Sequence, residues 1–130
     1  MFTIKTSVRP STISGLGAFS EQFVLKGTTV WEFNPRFDLI FSQHEVEYLP
    51  EHQREFIKWY GYLDTQQFNG WYVLHVGNDR FTNHSETPNT VPVKLSDCQY
   101  IMIASKDINI GDEITCNYNE YEHKREDIKL

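Results

Sequence analysis

Three short stretches carry residue types that could do chemistry. Arg80 to Asn89, RFTNHSETPN, follows the apolar run GWYVLHV and sets Asn83, His84, Ser85, Glu86, Thr87 and Asn89 in one loop, stiffened by Pro88. An amide beside an imidazole offers donors and acceptors to a polar ligand. The same residues also build a tight turn, so the stretch alone leaves both readings open. Ser11 to Ser20, STISGLGAFS, holds Gly15 and Gly17. Lacking Cβ atoms, these glycines let backbone approach a ligand closely, or simply turn the chain between strands. Ile110 to Tyr118, IGDEITCNY, ends in a tyrosine five residues after Glu113. A phenol at a strand end could orient a reacting group or only pack.

Taken together and in this order, the stretches resemble a known family. RFTNHSETPN is similar to the Arg-Phe-x-Asn-His-Ser-x-x-Pro-Asn signature of SET-domain protein lysine methyltransferases. STISGLGAFS resembles that family's amino-terminal Gly-x-Gly, and IGDEITCNY its Gly-Glu-Glu-Leu-x-x-x-Tyr. The match runs from Phe2 to about Tyr121 and resembles the minimal bacterial or viral form without zinc-binding flanking modules. The resemblance implies S-adenosyl-L-methionine as cofactor and a lysine-containing protein or peptide as substrate. It places the backbone of Gly15, Leu16 and Gly17 against the cofactor, the Asn83 amide on the methionine amino group and the His84 backbone at the adenine edge. It makes Tyr118 the catalytic tyrosine and puts Tyr72, on the preceding strand, in the lysine channel with Cys116 and Tyr118. Tyr72 counts with Tyr118 in the catalytic set, and Tyr121 is expected to help cover the cofactor.

Methyl transfer needs a neutral amine. Free lysine titrates near 10.4, so only about one in a thousand is neutral near pH 7.4, a deficit of roughly 4 kcal/mol. An apolar channel and a nearby sulfonium both disfavour the ammonium. Alignment in the channel then supplies effective concentration.

The sequence also departs from the family pattern. Glu86 stands where many members have a zinc-ligating cysteine, and the tail EYEHKREDIKL has no cysteine. No metal is expected, and the channel must be closed by the tail, a bound peptide or a second subunit, which puts a homodimer among the expectations. Cys116 stands two before Tyr118, where the family often has Phe or Tyr; its small side chain implies room for more than one methyl group. An alternative is a non-catalytic SET-like module that binds a basic peptide. A histidine metalloenzyme is disfavoured, because the five His lack a compact ligand spacing.

These residues must be positioned by short elements. Phe2 to Val8 alternates like a half-buried strand, TTVWEF after Gly27 is β-branched and aromatic, and strands are expected at Gly70 to Val76, Tyr100 to Lys106 and Glu113 to Asn117. Ser42 and Glu45 have capping-box spacing, opening a helical insert over about 42–63 that Pro50 interrupts. The pattern predicts an α+β fold, mostly β. The resemblance refines it to several small sheets with a carboxy-terminal pseudoknot, a single SET domain over 1–130 and a short tail over about 119–130.

Composition narrows the partners. Aromatic residues make up 15 % of the chain, which marks a folded globule with rings to spare for a pocket. A net charge of −6 argues against direct nucleic-acid binding and favours a basic partner. Two cysteines make neither a disulfide framework nor a four-ligand zinc site. No signal-peptide core or membrane span is read in the sequence, so an intracellular location is expected, cytoplasmic if the source is bacterial.

Overall fold

The computed structural model describes residues 1–97 and 99–121. The chain folds as many short strands in several small sheets with few helices, as the sequence predicts. Strands β1 (Thr6–Pro10) and β2 (Leu16–Ser20) form an antiparallel hairpin whose turn contains Gly15 at φ 46°. A second sheet orders β3 (Thr29–Glu32), β9 (Gln99–Ala104) and β8 (Thr90–Ser96). A third orders β4 (Asp38–Ser42), β6 (Trp71–His75) and β5 (Tyr62–Leu63). The last is a parallel pair, β7 (Asn83–His84) with β10 (Thr115–Cys116).

The parallel pair is the expected threading of the carboxy-terminal segment against the Asn83–His84 loop. Asn89 makes the splice: its Nδ2 donates to Glu113 O at 2.8 Å, and its Oδ1 accepts from Thr115 N at 2.9 Å. Thr90 Oγ1 donates to Thr115 O at 2.7 Å, and Ser85 N to Cys116 O at 3.0 Å. These buried backbone groups have no long sheet to join, so side chains satisfy them.

The helical insert is two helices, α1 (Gln43–Glu47) and α2 (Glu51–Tyr60). Ser42 Oγ accepts from Glu45 N at 3.0 Å and Glu45 Oε2 from Ser42 N at 2.7 Å, completing the capping box. Pro50 is the N-cap of α2, just outside the helix, where its missing N–H breaks no helical hydrogen bond. The insert ends at Gly61, short of the expected Leu63, because Tyr62 and Leu63 pair with β6 instead.

Strand bounds differ elsewhere too. The first strand begins at Thr6, and Phe2 makes a lone bridge to Trp31. Strands β4 and β8 were not expected. Both lie at sheet edges, and Pro92 within β8 reads as a strand breaker although an edge position tolerates it. Two apolar clusters hold the layers: one joins Val24, Val30, Trp31, Tyr100, Met102 and Ile108, the other packs Val46 and Ile57 on Tyr72. No described helix is long and apolar enough to cross a membrane. Most of the expected tail, residues 122–130, lies outside the described residues.

Candidate active site

The glycine loop is tied to the Asn83–His84 strand by one amide. Asn83 Nδ2 donates to Ser14 O and Leu16 O, both at 3.1 Å, and approaches Glu113 Oε2 at 3.3 Å. With oxygen acceptors on that side, Asn83 turns its Oδ1 the other way. At Gly17 a Cβ would stand 2.6 Å from Glu113 Oε1, so any larger residue would push the Glu113 carboxylate aside. At Gly15 a Cβ would meet nothing within 4 Å, so the loop tip faces open space. Gly15, Leu16, Gly17, Asn83 and Glu113 are therefore brought together by the fold.

His84 joins that cluster to Tyr118. The Tyr118 N–H donates to His84 Nδ1 at 3.1 Å, so the ring proton sits on Nε2, which faces Glu86 Oε1 at 3.0 Å. The two rings lie 5.2 Å apart. Glu86, which reads in the sequence as a lost cysteine, thus orients His84. Tyr118 Oη donates to Thr82 O at 2.6 Å, anchoring the phenol beside the residue that precedes Asn83.

Behind Tyr118 opens a cavity of about 250 Å³. Thr82 and Tyr118 lie on its wall, so they form the boundary between the cavity and the loop cluster. Tyr62, Tyr100, Cys116 and Tyr121 also line it, and the exposed Trp59 and Tyr60 stand where it meets the surface. Tyr121, expected over the cofactor, is found on this wall, its Oη 3.0 Å from Cys116 Sγ and its ring edge-on to Tyr62 at 5.2 Å.

Tyr72 is not brought to the cavity, which corrects the sequence expectation. It is buried with Val46 and Ile57 under the helices. Alternation along β6 explains this: His75 lines the cavity, and Tyr72, an odd number of residues away, points to the opposite face. Tyr62, across the β5–β6 pair, lines the cavity instead. No sequence motif marks Tyr62; pairing with β6 is what turns it inward. Burial pushes the Tyr62 phenol well above its ordinary value, with Tyr100 and Asp64 adding to it, and burial likewise raises Tyr100. Both stay neutral phenols.

A charged cluster adjoins the cavity through His75 and Asp79. Asp38 Oδ2 pairs with the amino-terminal ammonium at 2.7 Å and Asp38 Oδ1 with His75 Nδ1 at 2.8 Å. Asp79 Oδ2 accepts from Trp31 Nε1 at 2.7 Å. Asp38, His75 and Asp79 place one ligand atom each within 4.8 Å of the others, but the ammonium already bridges the two carboxylates.

Comparison with known proteins agrees with this architecture. A family model described as SET domain matches residues 15–119. A candidate histone methyltransferase of Plasmodium falciparum superposes with a TM-score of 0.58 at 24 % identity, covering 89 % of this chain and 94 % of the other. A chain of the Chaetomium thermophilum Polycomb Repressive Complex 2, in a humanized mutant bound to the inhibitor GSK126, gives 0.67 at 19 % identity over 94 % of this chain. The apo form of that complex with two Ezh2 substitutions gives 0.70 at 19 % identity over 95 % of this chain. The chain spans only 16 % of the length of each Polycomb chain. At these identities the likeness is one of fold. No curated protein matches the chain. The family model covers most of the chain and includes both glycines, Asn83, His84 and Tyr118; the chain belongs to the SET-domain family.

Proposed function

We propose that the chain transfers methyl groups from S-adenosylmethionine to a lysine side chain of a basic protein or peptide. The observation that carries this reading is the position of Tyr118, bonded to His84 on the loop side and lining the cavity on the other. A donor held by the loops and an amine entering the cavity would meet at that tyrosine.

The residues present fit the cofactor. Asn83 Oδ1 is turned from the glycine loop and suits an ammonium such as that of the methionine moiety, while the backbone of Gly15, Leu16, Gly17 and His84 offers further polar groups. S-adenosylmethionine supplies an electrophilic methyl group on a sulfonium. The chain's own residues do the rest. Tyr62, Tyr100 and Tyr121 wall a slot that strips water from an entering amine and so favours its neutral form. Tyr118, fixed by Thr82 O, orients the amine lone pair along the slot. Cys116 leaves more room on that wall than an aromatic ring would, which supports addition of more than one methyl.

In this reading residues 1–130 act as one SET unit with no metal, in an intracellular setting, and the slot is closed by the tail, the substrate or a second subunit of a homodimer. The test is transfer of labelled methyl from S-adenosylmethionine into a proteome lysate, with the modified sites mapped by mass spectrometry. Label on lysine is expected. Label absent, or found only on other residue types, contradicts the proposal.

A further inference from the structure

His84 meets Tyr118 through its side chain as well as through its strand. Tyr118 opens a short 3₁₀ turn, Tyr118–Glu120, just past the end of the β7–β10 pair. A backbone N–H at the start of a helical turn has no partner within that turn, so its acceptor must come from elsewhere. Here the His84 imidazole supplies it, Nδ1 accepting from Tyr118 N at 3.1 Å. The phenol of the same residue donates to Thr82 O at 2.6 Å. Tyr118 is thus pinned at two points, amide and hydroxyl, to the residues on either side of Asn83.

Only the neutral imidazole can make the first of these bonds. A proton on Nδ1 would set one N–H against another, and a half-turn of the ring would offer a C–H in its place. Nε2 faces Glu86 Oε1 at 3.0 Å, and that carboxylate takes the Nε2 proton in either charge state. The bond that changes is therefore the one to Tyr118. Among the described residues, the other titratable groups nearby are the Tyr118 phenol, its ring 5.2 Å away, and the Cys116 thiol, opposite in register on β10. Glu113 bonds the neighbouring Asn83. The His84 side chain is 32 % exposed, so a proton from solvent can reach it. Imidazole is the side chain whose charge ordinarily changes between about pH 5 and 8.

From this we infer that the His84 imidazole is a positioning residue for Tyr118 that works only when neutral, so that protonation of His84 releases the Tyr118 amide and slows methyl transfer. The inference rests on the proposed function and deepens it. It gives the His84 side chain a task separate from that of its backbone at the cofactor. The loss in acid adds to the one the substrate imposes, because the amine must also shed a proton.

The test is the pH profile of kcat/KM for a lysine peptide on the whole chain, between about pH 5 and 8. An amine that must lose one proton gives about a tenfold rise per pH unit across this range. The chain is expected to show that slope at the neutral end and a steeper one, approaching about a hundredfold per unit, at the acid end. His84→Asn offers an amide oxygen that does not titrate near the place of Nδ1, and should keep the single slope throughout. A tenfold slope over the whole range in the unmodified chain overturns the inference, and so does a His84→Asn profile that still steepens. Hydrogen exchange read by NMR on the unmodified chain needs no turnover. The Tyr118 N–H should lose about tenfold of its protection as the His84 ring titrates, while amides of β9 keep theirs. Protection at Tyr118 that does not follow the ring, or that falls together with β9, overturns the inference as well. No transfer at any pH, with Tyr118 still following His84, defeats the proposed function and supports the His84–Tyr118 bond.

Discussion

Tyr62 and Tyr72 carry the same phenol on neighbouring strands, yet only Tyr62 reaches the cavity. Removing the Tyr62 hydroxyl should therefore disturb the slot, and Tyr62→Phe is expected to lower methyl-transfer turnover by roughly tenfold through misplacement of the amine. Tyr72→Phe should leave turnover within about twofold, since its hydroxyl lies in a structural cluster away from the slot. Steady-state rates of the two variants side by side check this; equal losses would contradict the placement. Asn83 joins Ser14, Leu16 and Glu113 through one amide, and its loss removes both that tie and the outward acceptor. Asn83→Ala should weaken S-adenosylhomocysteine binding by about ten- to a hundredfold, measured by calorimetry. At this scale short contiguous strings sufficed to single out Gly15, Gly17, Asn83, His84 and Tyr118 as candidates, and the fold brings these residues into one neighbourhood. Tyr62 could not, because its role depends on a two-residue strand that forms only against β6. Glu86 was visible only as a departure, and its hold on His84 needed coordinates.

Short elements place these side chains, and their ends matter more than their lengths. Gly61 ends α2 and lets Tyr62 enter β5 at once. A Cβ at Gly61 would stand 2.7 Å from Ile57 O and 2.8 Å from Val73 O, both backbone atoms that cannot swing aside. Gly61→Ala should cost about 2 kcal/mol of stability by overpacking, read from chemical denaturation. A change below about 0.5 kcal/mol would mean that the helix–strand junction yields more easily than its geometry implies. Element existence was legible wherever periodicity or caps were strong, as with Ser42 and Glu45 or the apolar run of β6. It was not legible for the edge strands β4 and β8: Leu39, Ile40 and Phe41 form too short an apolar run to show a period, and Pro92 reads as a strand breaker. The two-residue strands β5 and β7 leave no period to read, and only tertiary pairing defines them, whereas β10 falls within the strand expected over Glu113 to Asn117.

In the whole molecule, the small sheets are tied together by a few buried polar groups, and Asp38 is central among them. Burial pushes its carboxyl up, but hydrogen bonds from His75, the amino-terminal ammonium and Asn34 N–H bring it below the ordinary aspartate value. A depressed carboxyl contributes stability that is present above its unfolded value, near 3.9, and is lost as pH falls through the folded value. Asp64 has the opposite sign: burial raises it against three backbone hydrogen bonds, so its contribution is largest below about 3.9 and fades as pH rises through the raised value. Asp38→Asn should lower stability at neutral pH by about 2 kcal/mol, less than the roughly 3–5 kcal/mol of a fully buried pair because Met1 is partly exposed. It should also flatten the loss of stability below about pH 4, seen in thermal melts over a pH series. The same tying together of distant segments brings Tyr118 between the loop cluster and the cavity, and one variant tests that placement most directly. In Tyr118→Phe, methyl transfer to a lysine peptide should fall by about a hundredfold or more while S-adenosylhomocysteine affinity stays within about twofold, the pattern of an interaction used only in the reaction. Undiminished transfer, or loss of cofactor affinity in step with turnover, would contradict the account.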